Sequence, residues 1–161
     1  MKVLVIWKAL VSEAYHKKLR ELSQFKDIEL TLVVPTKWHN INLEKRFSNE
    51  YKIIPAKVLL SGYNHFHWYP GLDKYVRQVQ PDILHIEEEH YSFVTYQAIR
   101  LAKRYGIKCL FVTWQNIYKK YPFPFSRIEQ YNMKNADYAI VGSNEVRKVL
   151  IRKGFDNKRI S

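Results

Sequence analysis

Between Pro81 and Tyr91 the chain passes from an apolar run into three carboxylates and a histidine: Pro81-Asp82-Ile83-Leu84-His85-Ile86-Glu87-Glu88-Glu89-His90-Tyr91. Carboxylates accept hydrogen bonds from hydroxyl groups, and imidazole and phenol can exchange them. Glu87, Glu88, His90 and Tyr91 are therefore candidates to orient a polyol. A carboxylate here is also a candidate general base. The competing reading is a solvated acidic turn in which one acid favours the N-terminus of the next helix. Ile83 to Ile86 has the composition of a strand buried on both faces. Burying the acids would be costly, so they are expected at the strand's exposed carboxyl end, where open α/β sheets bind ligands. No HExxH spacing or other ligand cluster accompanies the Glu and His residues, and no metal site is assigned.

A second polar group, Thr113-Trp114-Gln115-Asn116, follows another apolar run. Gln115 and Asn116 can offer donors and acceptors to the same kind of ligand, or can satisfy backbone groups of their own loop. Lys119 and Lys120, in a loop broken by Pro122 and Pro124, are candidates for contact with an anion or an anionic membrane, or form a solvated surface pair. The segment from Tyr63 to Tyr69 reads either as an aromatic platform edged by histidines or as an edge strand with its rings in the core. If extended, it places His65 and His67 on one face and Phe66 and Trp68 on the other. No catalytic residue is assigned.

Alternating strands and helices must position these groups. Strands are expected over Val3 to Trp7, Ile28 to Val34, Tyr51 to Leu60 (with Pro55 marking an edge), Ile83 to Ile86, Lys108 to Thr113 and Asp137 to Val141. Helices are expected after Ser12, with Tyr15, Leu19 and Leu22 inside, and from Leu72 to Val79. Another follows Ser92, with Val94, Ala98, Leu101, Ala102 and Tyr105 inside and Gly106 as its stop. A capping box, Ser126 to Glu129, starts a helix to about Lys134. Ser143 caps the last helix, with Val146, Val149 and Leu150 inside and Gly154 as its end. Thr36 to Asn49 reads as irregular, and Asp156 to Ser161 as a polar tail. The pattern predicts an α/β fold: a Rossmann-like three-layer sandwich with a mostly parallel, doubly wound sheet and helices on both faces.

The 161 residues suit one domain. A formal net charge of +12 favours anionic partners, with a nucleic-acid-binding α/β domain as an alternative. Against that alternative, no nucleic-acid motif appears and the basic residues are scattered. The single cysteine, Cys109, leaves no internal disulfide and suits a cytoplasmic setting. No apolar run approaches the roughly 20 residues of a membrane span. There is no GxxxxGK[ST], no GxGxxG after the first strand and no GxSxG, which removes support from the commonest small α/β enzymes.

Pro81 to Ile86 with its acids, the strand ending in Thr113-Trp114-Gln115-Asn116, and Ala136-Asp137-Tyr138-Ala139-Ile140-Val141-Gly142-Ser143 together resemble the amino-terminal half of family 4 glycosyltransferases of the GT-B fold. Glu29 to Pro35 fits the same template, and the resemblance covers essentially the whole chain. It implies an acceptor-binding domain, residues 1–161, of a retaining, metal-independent enzyme. That domain is inactive without a carboxyl-terminal domain, in cis or in trans, that binds a nucleotide-sugar donor. A non-catalytic partner domain completing another chain's cleft is the other form of this reading. The acceptor is a glycan or a lipid-linked glycan, with peripheral contact at the inner membrane surface and no cofactor beyond the donor. The chain departs from the family pattern in three places. Leu10-Val11 stands where many members have a Gly-Gly turn, Gln115 where many have His, and Glu87-Glu88 where many have His-Glu. A role for Gln115 is thereby confined to hydrogen bonding.

Overall fold

The computed structural model describes residues 1–44 and 50–161. The last part of the segment expected to be irregular, 45–49, lies outside the described residues. Strand β1 (Lys2–Ile6) is followed by helix α1 (Lys17–Ser23), β2 (Glu29–Pro35) and a small hairpin of β3 (Lys37–Trp38) and β4 (Ile41–Asn42). Then come β5 (Lys52–Ala56), α2 (Leu72–Val79), β6 (Ile83–Ile86), α3 (Phe93–Tyr105) and β7 (Lys108–Thr113). Helix α4 (Phe125–Asn135), β8 (Tyr138–Val141) and α5 (Asn144–Arg152) complete the order.

Six strands form one sheet in the order β5-β2-β1-β6-β7-β8. Every pairing in it is parallel. The chain builds outward from β1 to one edge, then returns to pair β6 with the other side of β1. The strand order therefore reverses between β1 and β6, and their carboxyl ends flank the switch-point crevice of a doubly wound sheet. One face packs Leu4, Ile6, Leu84, Ile86 and Phe111 against Val76, Ala98, Met133 and Leu150 from α2 to α5. The other packs Val3, Val5, Leu30 and Leu32 against Leu10, Val11 and Leu19. Alternate residues of β1 thus enter two cores, as a central strand with helices on both faces requires. Pro55 sits in β5, which pairs only with β2, so its missing N–H leaves no ladder bond unmade.

The caps at Ser92 and Ser143 are present: their hydroxyls accept from the backbone N–H of Thr95 and Val146. Gly106 ends α3 with φ 68, a conformation that an added Cβ would strain.

Other expectations are corrected. Ser12 makes no side-chain cap; a 3-10 turn intervenes, α1 begins at Lys17, and Tyr15 stays half exposed with its ring against the edge of Trp7. The third strand is only Lys52–Ala56. In α3 the sheet takes Thr95 and Ile99, whereas Tyr105 is exposed and its hydroxyl donates to Asp73 Oδ1 at 2.7 Å. Ser126 does not cap α4; Pro124 holds that position and Glu129 turns to tertiary partners. The stretch before α2 is not extended, so His65 is exposed while His67 and Tyr69 are buried. The chain end is not a free polar tail. Ile160 is buried beside Ala139, and the Val141 N–H donates to the Ser161 carbonyl at 2.8 Å, which extends pairing past β8.

Candidate functional site

The carboxyl ends of β1, β6 and β7 enclose a cleft of about 190 Å³. Trp7 and Lys8 enter from β1, Glu87 to Glu89 from β6, and Val112 and Trp114 from β7. The acids are where the sequence placed them along the chain, at the strand end, but they are not solvated. Glu88 is only 4% exposed, and the Glu87 side chain is nearly as enclosed. The expected cost of burial is offset by a partner for each acid.

Glu87 accepts from His85 Nε2 at 2.9 Å and pairs with Lys18. Burial works against its charge, but hydrogen bonding and charge from His85 and Lys18 prevail and hold its carboxyl below the ordinary range. Glu88 pairs with the Lys8 ammonium and accepts from the Lys8 backbone N–H at 3.2 Å. Here burial prevails over Lys8 and raises the carboxyl. Glu89 accepts from the Trp114 N–H at 3.0 Å and from the Thr113 hydroxyl. Neighbouring acids are thus driven in opposite directions. Glu87 is held below the ordinary carboxyl range by its partners, while burial lifts Glu88 above it against the pull of Lys8.

Behind Glu88 lie two buried polar atoms with no hydrogen-bond partner among the described residues, His67 Nε2 and the Tyr69 hydroxyl. His67 Nδ1 lies 3.1 Å from the Asn64 carbonyl and donates to it, which leaves Nε2 as a lone pair 3.7 Å from Glu88 Oε1. Burial, helped by the Lys8 charge, depresses this imidazole to about 3, so it is neutral. Burial and then the charge of Glu88 push the Tyr69 phenol up.

His90 and Tyr91 sit deeper than their sequence position suggests. His90 is fully buried, with Nδ1 3.1 Å from Thr113 Oγ1 and Nε2 3.0 Å from Glu129 Oε1. Lys153 donates to that same Glu129 oxygen at 2.7 Å. Burial again opposes the Glu129 charge, but His90 and Lys153 outweigh it and lower its carboxyl. A continuous chain therefore runs Glu89–Thr113–His90–Glu129–Lys153. Tyr91 stacks on Tyr121, with centroids 4.2 Å apart.

Gln115 is drawn into its own loop. Its amide donates to the Ile117 carbonyl and accepts from the Tyr121 hydroxyl at 3.4 Å. Asn116 is exposed. Lys119 and Lys120 line a different and larger pocket, of about 730 Å³, between their loop, α4 and α5. The residues named from sequence therefore divide: Glu87 and Glu88 at the cleft, His90 and Tyr91 beneath, Gln115 and Asn116 above, and the lysines apart. Sequence reasoning missed Lys8, Lys18, Glu129 and Lys153. Each is distant along the chain from its partner, so no local pattern marks it. Trp114 had a local signal that went unused. It lies against Gly142, where an added Cβ would come within 2.1 Å of the indole.

Among the described residues, no group of three or more His, Cys, Asp or Glu side chains is placed to hold a metal ion. No helix among them is long and apolar enough to cross a membrane.

Among curated proteins none matches this chain in sequence. Solved structures do match in shape. A putative UDP-N-acetylglucosamine 2-epimerase from Listeria monocytogenes superposes with a TM-score of 0.67 at 15% identity, over 99% of this chain and 44% of that one. The UDP-GlcNAc 2-epimerase from Neisseria meningitidis bound to UDP-GlcNAc gives 0.65 at 12% identity, over 99% and 46%. The corresponding enzyme from Methanocaldococcus jannaschii gives 0.63 at 12% identity, over 100% and 45%. At such identities the likeness establishes the fold, which is of the GT-B type, and this chain spans less than half the length of these proteins. The sequence profile of Glycosyltransferase Family 4 matches residues 16–161, nearly the whole chain and all of the cleft described above except Trp7 and Lys8. On that match, carried on a sheet of the corresponding fold, the chain belongs to Glycosyltransferase Family 4.

Proposed function

We propose that this chain is the acceptor-binding domain of a retaining glycosyltransferase that moves a sugar from a nucleotide-sugar to a glycan or lipid-linked acceptor. The observation that carries the reading is the cleft at the β1/β6 switch point. There a raised carboxyl, Glu88, and an ionised one, Glu87, sit beside Lys8 under the exposed indole of Trp114. Carboxylates and an ammonium exchange hydrogen bonds with sugar hydroxyls, and an indole face covers the apolar side of a sugar ring. Glu87, Glu88 and Asn116 are assigned to the acceptor, with His90, Tyr91 and Gln115 holding the walls around it. The donor's nucleotide belongs to a second domain that closes over this rim, in cis or in trans, and no turnover is expected without it. Structural neighbours that are UDP-N-acetylglucosamine epimerases, one of them bound to UDP-GlcNAc, support nucleotide-sugar chemistry for the assembled protein.

The test is calorimetric titration of the chain with UDP, GDP and their sugars, beside a glycan array carrying free and lipid-linked glycans. The expected result is weak or no nucleotide binding together with glycan capture that Glu88→Gln reduces about tenfold or more. Micromolar nucleotide binding by these residues alone would overturn the assignment of the cleft to the acceptor.

A further inference from the structure

The pocket of about 730 Å³ beside α4 and α5 differs from the switch-point cleft in the state of its charges. Six cationic side chains line it, Lys119, Lys120, Lys134, Arg152, Lys153 and Arg159, against one carboxylate, Glu129. That carboxylate already serves His90 at 3.0 Å and Lys153 at 2.7 Å. Lys153 is consumed in this way, with its remaining reach spent on the Lys119 carbonyl at 2.6 Å. Arg159 donates to the Ala136 carbonyl at 2.9 Å and lies 3.9 Å from Asp156. Lys119, Lys120, Lys134 and Arg152 form no ion pair among the described residues. Arg152 is nonetheless held in place, its guanidinium 4.2 Å from the centre of the Tyr118 ring, whose other near cation is Lys153 at 5.0 Å.

We propose that this pocket binds the phosphate or diphosphate group of a phosphorylated ligand. Guanidinium and ammonium groups converging on a concave surface give charge-assisted hydrogen bonds to several phosphate oxygens at once. The volume suits a phosphosugar or the headgroup of a lipid diphosphate. The ammonium of Lys153, pinned between α4 and the loop after β7, fixes the back wall. A hydrogen-bonded chain through Thr113 and the buried His90 joins Glu89 of the cleft to Glu129 of this pocket. A ligand that presents its phosphate to the basic pocket and its sugar hydroxyls to the cleft would be the acceptor proposed above. That last step, which makes the ligand the glycosyl acceptor, rests on the glycosyltransferase reading; the anion site itself does not.

The probe is inorganic pyrophosphate, titrated into the whole chain at moderate and high salt. Binding should weaken about tenfold or more in a Lys119→Ala, Lys120→Ala, Arg152→Ala variant. It should change by less than about twofold in a charge-matched control, Lys17→Ala, Lys26→Ala, Lys57→Ala, whose sites are exposed elsewhere. Co-sedimentation with phosphatidylglycerol vesicles, against phosphatidylcholine alone, separates the sources. Capture lost only in the pocket variant assigns the phosphate to a lipid. Pyrophosphate binding without capture assigns it to a soluble phosphosugar. Equal loss in the two variants means diffuse attraction by net charge, and it overturns the proposal, as does failure of the unmodified chain to bind either probe. These readouts need no donor and no turnover, so they stand or fall apart from the acceptor assignment of the cleft.

Discussion

The switch-point cleft and the basic pocket use charge in opposite ways. In the cleft three adjacent acids are buried or half-buried, and each has found a partner inside the molecule: His85 and Lys18 for Glu87, Lys8 for Glu88, the Thr113 hydroxyl and Trp114 amide for Glu89. In the pocket, four of the six cations form no ion pair among the described residues. A protein of net charge +12 thus encloses these three acids with partners and leaves a concentrated part of its positive charge without an ion pair among the described residues. Net charge does not distinguish the two regions; the presence or absence of an internal ion pair does. Partnered charges in an enclosed cleft set its protonation and shape and offer fixed donors and acceptors to a neutral sugar, whereas cations without an ion pair on a concave surface attract an anion.

The largest effect that would sharpen this contrast is on stability. Lys8→Met strands Glu88 without its cation and is expected to cost about 3 kcal/mol in urea denaturation at neutral pH. If the loss is only a few tenths, the cleft pairs are as dispensable as surface ones and the contrast fails. His90→Leu cuts the chain between Thr113 and Glu129 and should cost about 2 kcal/mol. A smaller cost would show that the two regions are not structurally joined.

The pH dependence separates the regions by sign. Glu88, raised in the fold, contributes stability that is present below its unfolded value and lost as pH rises through its folded one. Relative to the unmodified chain, Glu88→Gln should therefore gain stability as pH rises from about 4 toward neutrality. Glu129, lowered in the fold, contributes stability present above its unfolded value and lost as pH falls through its folded one. Glu129→Gln should show the reverse trend in a lower window, its deficit relative to the unmodified chain shrinking as pH falls below about 4.5. Parallel curves for the two variants would erase the distinction.

Gly142→Ala should push the Trp114 indole off its seat, change tryptophan emission and cost about 1 kcal/mol. An unchanged spectrum would mean that the ring does not form a fixed wall of the cleft. The smallest effect is expected in the pocket. Lys119→Ala with Lys120→Ala should alter stability by no more than about 0.5 kcal/mol, because neither ammonium is paired within the fold.

Much of the architecture could be read from residues alone. Ile83 to Ile86 and Lys108 to Thr113 coincide with β6 and β7, because buried parallel strands need uninterrupted apolar runs bounded by polar breaks. Leu72 to Val79 is likewise a helix, and Ser92 and Ser143 cap as their positions imply. Misreadings fell where a local preference met a tertiary alternative. Ser126 to Glu129 has capping-box spacing, but a buried imidazole and an ammonium are stronger partners for Glu129 than one backbone amide. The alternation expected from His65 to Trp68 is absent: turns break its phase, and of these four residues only His67 is buried.

By itself, then, the sequence determined the order of strands and helices, the place of the acids at a strand end and the excess of positive charge. These follow from periodicity and composition, which act over a few neighbouring residues. Only the tertiary structure decided which charges are spent. Lys8 and Glu88, which meet through both the ammonium and the backbone N–H of Lys8, are separated by 80 residues, and His90 and Glu129 by 39. Hydrogen bonds and desolvation depend on distance in space, and it is the parallel pairing of β1 with β6 and the packing of α4 against α3 that bring those groups within reach.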